Sequence, residues 1–206
     1  MRVIAIDGPA GSGKSTVARG VAAALGLDEL DTGAMYRAVT LAALRRAVDL
    51  RDAAALGELS GAIALDVGER IVVDGEDVSR EIRSAEVSAA VSVVAAHPEV
   101  RAELVRRQRE WVEQHDGGVV EGRDIGTVVF PDATLKVFLT ASEDERARRR
   151  RDEGSDETAT VLARRDHLDS TRAASPLKPA DDAIVIDSTG RDAADVIADV
   201  VARAGA

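Results

Sequence analysis

Residues 2–7, Arg-Val-Ile-Ala-Ile-Asp, form a short apolar run that breaks directly into Gly8-Pro9-Ala10-Gly11-Ser12-Gly13-Lys14-Ser15-Thr16. The segment from Gly8 to Ser15 fits the pattern G-x-x-x-x-G-K-[ST], which a chain of this composition produces by chance about two times in a thousand. A buried strand, a glycine loop and a helix over about 14–25 make the start of a βα unit. The residue types follow from what the loop must hold. Glycines let successive backbone N–H groups converge on phosphate oxygens, and the helix N-terminus adds the positive end of its dipole. Lys14 is then set to reach the β- and γ-phosphates of ATP, and the Ser15 hydroxyl to meet Mg²⁺. Gly8 through Thr16 are the candidate ATP-binding residues, with Lys14 catalytic and Ser15 the metal ligand. A dinucleotide fingerprint fails here, because it needs glycine where Thr16 stands and gives Lys14 no role.

The rest of the chain alternates strand and helix patterns. A short strand near 27–30 precedes a helical stretch from Gly33 to about Ala47, and two short runs within 62–78 read as antiparallel strands joined at Gly68. Pro98 suits the first turn of a helix over 98–115 that carries Val100, Leu104, Val105 and Trp111 at helical spacing. GVVEG and TLKVFLT are apolar runs typical of central parallel strands. Charged helices over 143–151 and 156–173, a strand over 183–187 and a helix over 192–203 complete the pattern. The expectation is an α/β fold, a parallel sheet of about five strands with helices on both faces. It is taken as one domain over 1–206, with a small insertion at about 61–93.

Composition excludes several classes. With no cysteine there is no disulfide framework and no thiolate chemistry. No apolar stretch approaches ~18 residues, and the N-terminal apolar run is too short for a signal peptide, so a cytoplasmic protein without a membrane span is expected. A net charge of −10 argues against nucleic acid as a partner. His97, His115 and His167 have no metal-ligand spacing. A monomer is expected, since the chain's own helices cover both sheet faces.

The acceptor can be approached through charge. A hydroxyl acceptor needs a base, whereas a monophosphate has a second pKa of ~6 and is already a nucleophilic dianion near neutrality. Its difficulty is the approach of two anions, which calls for arginines that neutralise and align them. Arg37, Arg101, Arg123, Arg165 and Arg172 lie beside polar, turn-like segments. The other arginines, including Arg106, Arg107 and Arg109 on an outer helix face, count as background. Two alternatives stay open: a kinase for a hydroxyl acceptor with Asp31 or Asp124 as base, and a regulatory module in which ATP only switches a surface. Asp7 is expected to face the glycine loop from below, Asp66 and Asp74 to be solvated, and Trp111 to be core.

LDTGAMYRA (30–38), VDGEDVSREIR (73–83), VSVVAAHPEVR (91–101), EGRDIGTVVFPDA (121–133) and RRDHLDSTRAASPL (164–177) resemble, in order and over most of the chain, the bacterial cytidylate kinases. The resemblance implies an adenylate-kinase-like P-loop kinase fold, MgATP as donor and CMP or dCMP as acceptors, with 61–93 as a CMP-binding subdomain. It also implies residue roles. Thr32 lies near the nucleotide and Arg37 binds the acceptor phosphate. Ser92, Arg101 and Asp124 read the cytosine edge. Arg123 and Arg172 clamp phosphates as catalytic residues, and Arg165 and Asp169 lie by the sugar-phosphate. The lid, about 143–172, is shorter than the family pattern between Arg151 and Arg164, with Arg146, Arg149 and Arg150 placed to reach ATP.

Overall fold

The computed structural model describes residues 1–152, 159–172 and 175–205, without the side chains of residues 159–162 and 165. Contacts divide the chain into two compact units, residues 1–30 with 111–206, and residues 31–110.

The first unit is built on a five-stranded sheet of order β2-β6-β1-β7-β8. Its strands are β1 (Arg2–Asp7), β2 (Glu29–Asp31), β6 (Gly117–Gly122), β7 (Leu135–Thr140) and β8 (Ile184–Asp187), with Asp31 already at the start of the other unit. The register is parallel for β1 with β6, β1 with β7, and β7 with β8. β1 is buried along nearly its whole length because it is central, and Asp7 at its end lies level with Gly122 and Phe138. Helices α1 (Lys14–Leu25) and α8 (Ala193–Ala204) cover one face, packing Val17, Val21, Val196 and Val200 onto Ile4, Ile6, Val119, Val137 and Ile186. Side chains alternate along a strand, so Gly118 looks away from Val119. There a Cβ would sit 2.9 Å from the Trp111 ring, and Trp111 stacks on His115 at 3.9 Å. Trp111, expected to be core, is half-buried and lies over this face of the sheet at Gly118.

After β6 the chain turns through a five-residue π-helical segment, Ile125–Val129. Helices α6 (Glu143–Asp152) and α7 (Ala159–Thr171) follow β7 and pack on each other. Residues 153–158, in the expected lid, lie outside the described residues.

The second unit contains α2 (Thr32–Arg45), α3 (Ala53–Ala62), a small antiparallel sheet of β3 (Leu65–Val67), β4 (Ile71–Val73) and β5 (Glu76–Asp77), then α4 (Ala85–Val94) and most of α5 (Pro98–Gln114). The hairpin read between 62 and 78 is present. Asp74, exposed as expected, also shapes the turn that closes it. With φ at 52°, it accepts from the Ala64 N–H and pairs with Arg46 at 2.7 Å. Arg107 likewise has a structural task, donating to the Ile63 and Gly61 carbonyls at the end of α3. α3 and α4 start where Asp52 and Ser84 accept the N–H groups of Ala55 and Val87.

Candidate active site

The glycine loop leaves the carboxyl end of the central strand, where neighbouring connections part to either side and α/β sheets form their ligand crevice. At Gly8 a Cβ would lie 2.0 Å from the Leu139 carbonyl oxygen, so the chain can turn beside β7 only without a side chain. Gly13 caps α1 with φ at 91° and supplies no side-chain acceptor, and no acidic residue stands in the first turn. The N–H groups there are left for an anion from outside the helix. Ser15 and Thr16 are exposed on that turn.

The loop's carbonyl side is occupied by cations. Arg123 Nη1 donates to the Gly8 oxygen at 2.9 Å and Lys14 Nζ to that of Pro9 at 2.7 Å. Arg146 Nη1 donates to the oxygen of Ala10 and Arg149 Nη1 to that of Ser12, each at 3.1 Å. Arg149 is itself fixed by the Ser188 hydroxyl and carbonyl. The buried Ser12 hydroxyl oxygen has no hydrogen-bond partner among the described residues. One loop amide is taken by a carboxylate: Asp166 on α7 accepts from the Ala10 N–H at 3.2 Å and pairs with Arg146. Burial, followed by the nearby Arg123 charge, lowers the pKa of Lys14, and Glu121, Asp7 and Asp166 partly offset this. For Arg123 burial opposes the charged form, but the charge and hydrogen bond of Asp169 prevail, and its pKa is raised.

Arg123, Asp169 and Arg172 come together. Arg123 Nε donates to Asp169 Oδ2 at 2.9 Å, and Arg172 Nε to the Asp169 carbonyl at 3.2 Å. Arg150 is half-buried on α6. Arg165 falls on α7, but its side chain lies outside the described residues.

Asp7 also has partners that its position in the sequence does not announce: its oxygens accept the N–H groups of Ile125 and Gly126, both at 2.8 Å. Burial is the main cause that pushes its carboxyl up to about 6, against the pull of those two hydrogen bonds. Asp124, buried at the start of the same segment, makes no side-chain capping bond there.

The remaining candidates belong to residues 31–110. Thr32 is buried as the first residue of α2, whose N-cap, Asp31, accepts the Ala34 N–H at 2.9 Å. One turn on, Arg37 Nη1 donates to the Ser88 hydroxyl at 2.9 Å and to the Ile82 carbonyl at 3.1 Å. Ser92 is buried on α4, and Arg101 is buried in the first turn of α5 with its guanidinium 5.7 Å from the Tyr36 ring centre. Reading the sequence missed the parts of Asp166, Ser188 and Asp7. Asp166 lies within the segment 164–177, but nothing there points its carboxylate at the loop; Ser188 lies in no motif, and the partners of Asp7 are more than a hundred positions away.

A family model described as cytidylate kinase matches residues 4–205. A cytidylate kinase from Mycobacterium leprae is 55% identical over 205 residues, covering 95% of this chain and 92% of the relative. One from Pelotomaculum thermopropionicum is 50% identical over 218 residues, covering 98% and 96%. Among solved structures, a gluconokinase from Sinorhizobium meliloti superposes with a TM-score of 0.54 at 15% identity, covering 99% of this chain and 91% of that one. TT1252 from Thermus thermophilus gives 0.52 at 19%, covering 98% and 97%. At those identities the two structures show the shared fold alone.

Proposed function

Since the chain belongs to the cytidylate kinase family, we propose that it transfers the γ-phosphoryl group of ATP to CMP or dCMP, giving ADP and CDP or dCDP. The observation that carries the donor half is the glycine loop at the end of β1, with an uncapped helix N-terminus and Lys14 folded against it. Lys14, now on the Pro9 carbonyl, exchanges that oxygen for the β- and γ-phosphates. Arg123 and Arg172, gathered by Asp169, carry the charge that builds up on the transferred group. Arg146 and Arg150 hold the donor phosphates from α6.

For the acceptor, Arg37 binds the monophosphate, and Arg165 and Asp169 serve the sugar-phosphate. Thr32 lies beside the nucleotide. The cytosine edge offers an amino donor and carbonyl and ring-nitrogen acceptors. Asp124 and Ser92 suit the first and Arg101 the second, and desolvation makes a missing hydrogen bond costly. The acceptor oxygen attacks in line and needs no base, because the phosphate is already ionised. The hydroxyl-acceptor alternative loses support at Asp31, whose carboxylate caps α2 and lies 3.8 Å from Arg83. We take the enzyme to work as a cytoplasmic monomer on free nucleotides.

Among the described residues no cluster of three or more His, Asp or Glu could hold a metal by itself. The exposed Ser15 hydroxyl at the head of α1 is a hard oxygen donor of the kind Mg²⁺ accepts alongside phosphates and water. It fits as the protein's ligand to Mg²⁺ brought in with ATP. An ion held there would supply positive charge against the phosphate charge that builds up during transfer.

The test is ADP release from MgATP with CMP, dCMP, UMP, AMP or shikimate supplied singly. Turnover fastest with CMP and dCMP is expected; turnover only with shikimate, or with no acceptor, overturns the assignment.

A further inference from the structure

The ends of β1 and β6 are tied to each other twice, in opposite senses. From β1, the Asp7 carboxylate takes the N–H groups of Ile125 and Gly126; from the β6 side, Arg123 returns a hydrogen bond to the Gly8 carbonyl. Asp7 and Gly8 are consecutive, and the two N–H groups directly follow Arg123 and Asp124. The donor loop and the turn bearing two proposed substrate-binding side chains therefore share one hydrogen-bonded frame. The π-helical segment opens with Asp124 as its N-cap residue, yet its first amides are satisfied from the neighbouring strand. A local cap by Asp124 would bend its carboxylate back onto its own turn. A carboxylate sent across from β1 takes over that task.

We propose that Asp7 is a positioning residue for acceptor selection. It satisfies the amides after Asp124, so that the Asp124 carboxylate can face the amino group of the pyrimidine. The proposal rests on the assignment of Asp124 to the cytosine edge. Both Asp7 oxygens are engaged at 2.8 Å, and the residue is 5% exposed, so solvent cannot easily replace it. An amide in its place keeps one acceptor oxygen and turns an NH₂ against the second N–H. The turn must then shift, and misplacement by about 1 Å can cost about a hundredfold in a site that depends on alignment.

The experiment compares CMP with UMP, which bears a carbonyl where CMP bears the amino group, in wild type, Asp7→Asn, Asp124→Ala and the double variant. In Asp7→Asn the kcat/KM ratio of CMP to UMP is expected to fall about tenfold or more, with KM for ATP changed by less than about threefold. The double variant should discriminate no worse than Asp124→Ala alone. Equal losses with CMP and UMP, or additive losses in the double variant, overturn the proposal by leaving Asp7 a general structural group. If Asp124→Ala keeps the wild-type ratio, the base-reading assignment fails, a result separate from any seen at Asp7. Should Asp7→Asn not fold, Asp7→Glu, which keeps the carboxylate on a longer arm, must still lower the ratio. In the wild type, couplings across hydrogen bonds from the Ile125 and Gly126 amides to the Asp7 carboxyl carbon should be seen by NMR. Their absence overturns the proposal as well.

Discussion

The glycine-loop end of the sheet and the unit of residues 31–110 would both handle phosphate, by different means. At the loop, the candidate anion-binding groups are mainly backbone amides, and Arg and Lys side chains sit on the carbonyls of Gly8, Pro9, Ala10 and Ser12. In residues 31–110 the anion-binding candidates are side chains, held by neighbours such as Ser88 for Arg37 and Tyr36 for Arg101. A backbone site is specified by chain geometry and admits any nucleoside triphosphate. A side-chain site is specified one residue at a time, and it can choose among bases. On the proposed assignments the glycine loop would supply rate, and the side-chain candidates, Asp124 among them, would supply selection.

Paired substitutions give the sharpest break. Lys14→Met should lower kcat by about 10³, because it removes charge that acts on the transferred group. Arg37→Ala should raise KM for CMP by ~10–100-fold while KM for ATP stays within about threefold, as the loss of a charge-assisted hydrogen bond implies. Steady-state kinetics with each nucleotide varied separates the two. If Arg37→Ala weakened ATP to the same extent, the division between the two regions would not stand.

A smaller effect is expected at Asp166. Its carboxylate occupies the Ala10 amide that an ATP phosphate would take, and it engages Arg146 as well. ATP must displace it, so affinity is reduced by the share of molecules in which it sits there. Asp166→Ala should tighten MgATP binding by ~3–10-fold in calorimetry. Weaker binding would show instead that Asp166 orients Arg146 for the phosphate, and the carbonyl-side cations would then be less independent of α7 than the comparison holds.

The two regions were also unequally legible in the sequence. Gly8–Ser15 is contiguous and each of its residues has a local reason, so strand, loop and helix could all be read directly. The apolar runs of β6 and β7 were as plain, since central parallel strands are buried on both faces. α3 and α4 leave no such mark in the sequence. Their alanine, glycine and serine content gives a weak periodic pattern, although Asp52 and Ser84 were available as capping signals. The amide partners of Asp7 are hidden for another reason. A carboxylate at a strand end has several neighbours, and the chain order does not tell which amides lie across the sheet. Asp166 and Asp169 sit three residues apart on one helix, yet one meets the Ala10 amide and the other meets Arg123. That choice depends on how α7 lies against the loop, which no local pattern encodes.

The smallest predicted effect concerns a proton, and it tests whether Lys14 is poised by the fold or by its ligand. In the ligand-free protein the burial of Lys14, with Arg123 near, favours the neutral amine and lowers its pKa from the usual lysine range. Since the unfolded chain then binds more protons than the folded one below the ordinary lysine pKa, this group adds stability as pH rises through its folded value. A bound triphosphate reverses the balance, because its charge favours the ammonium form. ATP binding near pH 8 should therefore take up a proton, up to about one per site. Calorimetry in buffers of different ionisation enthalpy measures it directly, and Lys14→Met should abolish the uptake. No uptake in the wild type would mean that Lys14 is already an ammonium on the Pro9 carbonyl. The Asp7, Glu121 and Asp166 charges would then outweigh burial at this position, and the donor end would stand fully charged before ATP arrives.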